Sequence, residues 1–223
     1  MAVKFQLPDG KFTDIVCIST NGFPVSNGED FLALLKAIAT TTPDSPKPTP
    51  IETFLGSHPA ALAFVQAPKP APASFARETY YGVTAMKFIN RDGVSRYGRY
   101  RILPEAGNDH LSAEELAGKS PNFLFDELLE RVADGSIKFK IAAQLAEEGD
   151  EVNDATIHWP ASREIFEIGT LTLTSPVPDA AAEQKHIIFD PIPRVDGIEP
   201  SDDPLLELRA AIYLISGRRR RSA

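Results

Sequence analysis

The sequence holds one cysteine, Cys17, one tryptophan, Trp159, and four histidines in 223 residues. A single thiol excludes an intrachain disulfide and a cysteine-built metal cluster, so cysteine usage leaves the redox compartment open. Basic residues are also scarce: 23 Lys and Arg stand against 31 Asp and Glu, a net charge of -8. A general nucleic-acid binder shows the opposite surplus, so no nucleic-acid partner is expected. No apolar run reaches the length of a membrane span, and the opening MAVKFQLPDG lacks the apolar core of a signal peptide. As written, the chain is therefore expected in the cytoplasm, or in the periplasm if an upstream segment carries a signal. No glycine-rich phosphate loop or Ser/His/Asp constellation stands out. The acidic run Glu147 to Asp154 lacks the ligand spacing of a calcium loop.

What is present is an ordinary globular composition, 43% hydrophobic and 24% charged, long enough to bury a core. Val3, Phe5 and Leu7 alternate with polar neighbours. Asp9-Gly10 then supplies left-handed turn residues, and Lys11 to Ser19 reads as the return strand. Ser26 or Asn27 caps a helix over Gly28 to Ala39, with Phe31, Leu34, Leu35 and Ile38 at helical spacing. Proline-rich connections follow near 40–50 and 67–74, and two short helices lie between them, the second begun by Pro59. Strands are expected at Thr79 to Ile89 and Val94 to Leu103, joined by an Asn90–Gly93 turn. Ser112, with Glu115 three residues on, opens one helix by a capping box; Ser120-Pro121 opens the next, and Gly135 ends it. Ile137 to Leu145 and Ile168 to Ser175 alternate as strands, and His186 to Asp190 reads as a last short one. The sum is a hairpin-rich antiparallel sheet interleaved with helices, an α+β architecture in one domain.

The last helix carries the candidate chemistry. Asp202 and Asp203 precede Pro204, so capping carboxylates and a first-position proline nucleate it, and Gly217 is the expected stop. Leu205, Leu208, Ile212 and Ile215 form an apolar stripe. Arg209 and Tyr213 are four apart, hence neighbours on one face. An arginine beside a phenol favours the phenolate, which ferric haem iron accepts as an axial ligand. For an arbitrary Arg-x-x-x-Tyr pair, a guanidinium lying over a half-buried tyrosine is the commoner meaning.

The flanking residues add an ordered set of matches. Trp159-Pro160 leads to the strand Gly169 to Leu173; then come Phe189-Asp190-Pro191, Gly197-Ile198-Glu199-Pro200-Ser201, and the Arg209/Tyr213 helix. This succession resembles the core of the catalase family. The opening Ala2-Val3-Lys4-Phe5 with Asp14-Ile15-Val16 resembles an earlier strand pair of the same family. The stretch GVSRYGRYRILPEAG is similar to the small catalase-related peroxidases. The resemblance implies a catalase-like antiparallel β-barrel with surrounding helices. It also implies haem b ligated by Tyr213, with Arg209 beside the phenol. Phe31 matches a residue packed on the porphyrin face, Phe23 a pocket phenylalanine, Arg220 a propionate partner, and Ser216 a family threonine. The expected activity is that of a haem-dependent oxidoreductase acting on hydrogen peroxide, with an organic molecule as a candidate reductant.

The resemblance also sets an expectation about what lies elsewhere. The family's distal histidine precedes the Ala-Val-Lys-Phe strand, where this sequence starts, and none of His58, His110, His158 and His186 matches it. Met1 is thus expected to be an internal methionine of a longer protein, and the barrel to lack its first strands. Open strand edges favour association into homo-oligomers. Without the distal histidine, the alternatives are a haem-binding protein without turnover and a scaffold of catalase ancestry. The family's distal asparagine falls near Ile18, with Asn21 close by but out of step.

Overall fold

Alternation at Val3 and Phe5 becomes strand β1, Ala2–Gln6, paired antiparallel with β2, Phe12–Val16, in the computed structural model, which describes residues 1–135 and 137–222. The turn between them works through one residue. Gly10 takes a φ of 81°, while Asp9 keeps an ordinary backbone and accepts from the Lys11 amide. Helices α1 (Gly28–Thr40), α2 (Pro50–Ser57) and α3 (Pro59–Gln66) follow. Asn27 caps α1 by accepting from the Asp30 amide, and Thr49 and Glu52 cap α2 reciprocally.

The second sheet contains β3 (Tyr80–Tyr81), β4 (Met86–Ile89), β5 (Ser95–Pro104), β6 (Ile137–Leu145), β7 (Ile165–Leu173) and β8 (Ile198–Pro200). Its order is β7-β6-β5-β4-β8, with β3 also on β5, and every pairing is antiparallel. The expected single strand over Thr79 to Ile89 is broken in two. At Gly82 the chain presses on Tyr100, whose Cβ would lie 3.0 Å from any added methyl group, and residues 82–85 bend away from the ladder. An isolated bridge between Ile18 and Tyr81 ties the hairpin to this sheet.

Helices α4 (Ala113–Ala117) and α5 (Phe123–Asp134) connect β5 to β6, and α6 (Ala180–His186) and α7 (Pro204–Ser222) flank β8. Helix α5 starts at Phe123, after the cap residue Asn122, rather than at Ser120-Pro121, because Ser120 and Pro121 belong to a turn closed by the Phe123 amide on the Ser120 carbonyl. His186 to Asp190 is not a strand: Asp179 accepts from the Ala182 amide and winds Ala180–His186 into α6. Past it, Asp190 is held by its own amide donating to Asp14 Oδ2 at 2.7 Å. Gly217 does not end α7 either. Its missing side chain lets the helix lie on Ile188, whose Cγ1 would sit 2.4 Å from an added Cβ, so the glycine serves close approach.

One core cluster joins the two sheets through Ile15, Tyr80, Ile102, Phe139 and Ile141, and closes on Leu206 in the first turn of α7. Fully burying a side chain such as Leu206 contributes about 1.5–3 kcal/mol, which sets where α7 begins. A second cluster, Val25, Leu34, Ala37, Phe54 and Ala61, binds α1 to α2 and α3, with Phe23 and Phe31 at its edge. A third, Val83, Ala155 and Leu205, touches Ile18, Phe23, Tyr81 and Leu208. Gly28 meets Leu208 so closely that an added Cβ would lie 2.4 Å from its Cδ2, so α1 starts against α7. Among the described residues, no helix is long and apolar enough to cross a membrane.

Candidate functional site

Two buried ionisable side chains, Asp203 and Arg99, lie near the start of α7. Asp203, 2% exposed, accepts from the Leu205 amide through Oδ1 at 2.9 Å, satisfying one free N–H of the helix end. Its Oδ2 and the Nε of Arg99 have no hydrogen-bond partner among the described residues. Arg99, also 2% exposed, donates from Nη1 to the Ile157 carbonyl at 2.6 Å and from Nη2 to that of Asp154 at 2.9 Å. Its guanidinium carbon lies 4.3 Å from the Trp159 ring centre. Burial pushes the Asp203 carboxyl up to about 6 and brings Arg99 down to about 10. Desolvation therefore outweighs the attraction between the two groups on both sides.

From one to about four turns further on, the helical period places Arg209, Tyr213, Ser216 and Arg220 on one face. Arg209 Nε donates to Tyr213 Oη at 3.0 Å, and its guanidinium carbon lies 5.5 Å from the ring centre. These two half-buried side chains border a cavity of about 230 Å³. Its other walls include Ile18 from the end of the hairpin, Phe31 from α1 and Val83 from the bent segment. Phe23 and Phe31, both lining it, sit 5.2 Å apart with rings tilted by 43°. Four of the candidate residues, Tyr213, Arg209, Phe23 and Phe31, are thus brought together. Arg220 is not among the lining residues; it donates to Ser216 Oγ at 3.0 Å and to the Ile187 carbonyl at 2.6 Å.

The apolar stripe expected along α7 is only half covered. Leu205 is buried, whereas Ile212 is 44% and Ile215 is 52% exposed. Past Leu208 the helix runs off the protein core, so apolar spacing there does not produce burial.

Phe23 and Tyr81 also line a second, wider cavity of about 740 Å³. Behind Tyr81 lies buried Arg101, its guanidinium carbon 4.9 Å from the ring centre. Arg101 Nη2 donates to Gln144 Oε1 at 2.5 Å and to Asn21 Oδ1 at 3.1 Å. Asn21 is therefore engaged by a guanidinium, and it borders the wide cavity rather than the one at Tyr213. The histidines lie apart from Tyr213. His58 stacks on Phe54 at 3.8 Å, His110 faces Glu78, His158 packs on Gly22, and His186 ends α6.

Sequence reading missed Tyr81, Arg99, Arg101 and Glu78. Arg99 and Arg101 share one face of β5 while Tyr100 and Ile102 fill the other, and all four are buried. A strand buried on both faces loses the alternation that flags it. The one available signal was a pair of arginines two apart inside an otherwise apolar run.

A family model described as catalase matches residues 1–223. The catalase-related peroxidase of Mycolicibacterium paratuberculosis is 38% identical over 219 residues, covering 97% of this chain and 69% of that protein. The catalase-related peroxidase of Synechococcus elongatus is 34% identical over 224 residues, covering 99% of this chain and 66% of that protein. Among solved structures, a fungal catalase superposes with a TM-score of 0.84 at 24% identity, covering 98% of this chain and 47% of its own. Catalase A from Saccharomyces cerevisiae gives 0.82 at 22% identity, with 98% and 48% covered. The chain thus spans about two thirds of the catalase-related peroxidases and about half of the catalases whose fold it shares.

Proposed function

The chain belongs to the catalase family, and on that premise we propose that it forms the Tyr213 side of a haem site in an oxidoreductase acting on hydrogen peroxide. The observation that carries the reading is the hydrogen bond from Arg209 Nε to Tyr213 Oη, at the edge of an apolar cavity. The donor set suits ferric haem b: Tyr213 would offer a phenol oxygen to the iron, Arg209 a guanidinium beside that oxygen, and the aromatic and aliphatic walls would suit an apolar macrocycle. No histidine or cysteine is among the residues lining that cavity to compete for the iron.

When bound, the haem supplies the redox chemistry by which peroxide is reduced. The protein's part follows from its own groups. Tyr213 provides the phenolate oxygen, and Arg209, by donating to that oxygen, stabilises negative charge on it. Phe23 and Phe31, which line the cavity, would offer it apolar ring surface and keep water out. Arg220, on the same helix face and exposed at its far end, is the partner for a propionate, which would replace the Ile187 carbonyl as its acceptor. Asp203 caps the start of the helix, and so sets the height at which Tyr213 stands.

Haemin titration of the full chain tests the reading. The wild type is expected to give the absorption spectrum of phenolate-ligated ferric haem with one-to-one stoichiometry, and Tyr213→Phe is expected to lose it. A spectrum unchanged by that substitution rules out Tyr213 as the ligand.

A further inference from the structure

The six-stranded sheet ends on one side at β8, three residues long, and on the other at β7, nine residues long. A short edge offers little to pair with, whereas a long one presents a row of backbone N–H and C=O groups to another chain. Among the described residues, no strand pairs with the outer side of β7. A bulge interrupts its ladder with β6: Gly169 faces Ile141, Glu167 faces Ala142, and Ile168 is the extra residue between them. The regular part of the edge is therefore Gly169 to Leu173, the run Gly-Thr-Leu-Thr-Leu, which has neither charge nor proline. Charges that keep foreign strands away from an edge are engaged inside the protein here. Glu164 pairs with Arg96 of β5 at 2.8 Å, and Glu167 with Lys140 of β6 at 3.0 Å. Around the same edge Ile165, Phe166, Ile168 and Val177 are all exposed, an apolar grouping of the kind that marks an interface.

We propose that β7 pairs antiparallel with β7 of a second copy of this chain, across a two-fold axis at Leu171. A two-fold contact must be complementary to itself, and this run is. With Leu171 opposite its own copy, Thr170 faces the partner's Thr172, and Gly169 faces the partner's Leu173. Threonine pairs then lie on one face of the joined sheet and leucines on the other, a favourable set of cross-strand neighbours. Nothing lies within 4 Å of where a Cβ on Gly169 would stand, which leaves room for the facing leucine. Leu171 and Leu173 already pack on the core cluster of Ile102, Phe139 and Ile141, so their copies continue that apolar layer past the edge. This register uses the whole regular run while keeping the bulge and both glutamates outside the new ladder. A two-fold axis at Gly169 would instead set Glu167 against a leucine and draw the bulge into the pairing. At each end of the ladder, Ile168 and Phe166 come against the segment of the other copy that carries its exposed valine. No residue of β7 lines the cavity at Tyr213, so the pairing stands or falls independently of the haem reading.

Sedimentation equilibrium of the full chain, with and without haemin, tests the pairing, and the wild type is expected to dimerise in both states. Thr170→Glu combined with Thr172→Glu keeps the fold, because within its own sheet these positions face Lys140 and Lys138. Across the two-fold axis the new carboxylates face one another, so the dissociation constant of the dimer should rise at least about tenfold. Thr170→Glu combined with Thr172→Lys turns each of those contacts into an opposite-charge pair and should restore the dimer. Amide exchange at residues 169–173 of the wild type should slow as concentration rises, while exchange at 198–200, on the other edge of the sheet, should not change. That measurement needs no variant, so it decides the matter even if a substitution unfolds the chain. A wild type that stays monomeric up to millimolar concentration overturns the proposal. So does a dimer that the double glutamate variant forms as readily as the wild type, or one whose protected amides lie outside β7.

Discussion

Ahead of Tyr213, α7 is held by burial: Leu205 and Leu206 are 3% and 1% exposed, and Asp203 caps the first turn beside Arg99. Beyond Tyr213 the same helix shows Leu214 and Ile215 to solvent and ends in four successive arginines. What fixes that half is a close approach of Gly217 to Ile188 and one bond from Arg220 to the Ile187 carbonyl. The two halves differ in what can move. The first is set by the core and tolerates little change, while the second rests on α6 and the residues just after it. Tyr213 stands at the junction, so its position follows from the buried half, and its surroundings depend on what the exposed half touches.

The sharpest way to break this contrast is at the junction itself. Arg209→Met keeps the length of the side chain and removes the donor to Tyr213 Oη. Outer-shell partners of metal ligands typically account for 10–100-fold in affinity, so haemin binding should weaken by about that factor while the melting temperature barely changes. Haemin titration alongside thermal melting checks it. A large loss of stability with unchanged haemin affinity would place Arg209 with the structural half instead.

A smaller effect is expected at the far end. Gly217→Ala puts a methyl group where Ile188 already lies, an overpacking that costs about 1–3 kcal/mol unless Ile188 yields. If α6 and the residues just after it are all that hold this half, the substitution should also release Arg220 from Ile187 and raise amide exchange across residues 214–222. Amides over 205–208 should keep their protection. Exchange that rises evenly along α7 would mean that the two halves behave as one.

The same contrast marks how far the sequence could be read. The capped start of α7 was legible because Asp203 and Pro204 act through local backbone geometry, which spacing reveals. Tyr213 and Arg209 were legible as a pair for the same reason. Gly217 was misread as a stop, because whether a glycine ends a helix or admits a neighbour depends on Ile188, distant in space until α6 forms. The 186–190 segment failed likewise: an Asp179 cap and a bond from the Asp190 amide to Asp14 override a short β-like run. The broken strand at 79–89 turned on the approach of Tyr100 to Gly82. Buried Arg99, Arg101 and Glu78 left almost no trace, since buried polar residues are recognised by their partners and not by their period.

The last test probes the buried half through pH. Burial raises the Asp203 carboxyl from 3.8 to about 6. The folded chain therefore holds a proton there that the unfolded chain releases, and this contribution to stability is complete below about 3.8. It is lost as pH climbs through about 6, because ionisation then costs more in the fold than outside it. Asp203→Asn keeps an oxygen for the Leu205 amide but cannot ionise. Its melting temperature should thus gain on the wild type between pH 4 and pH 6.5 and hold a constant lead above that. Arg99, Arg209 and Asp154 are the charged groups that act on Asp203, and the attraction of the two arginines opposes the gain. Should the variant fall behind the wild type as pH rises, that attraction exceeds the cost of burial. The start of α7 would then be an ion pair and not a desolvated cap, and the height of Tyr213 would be set by charge.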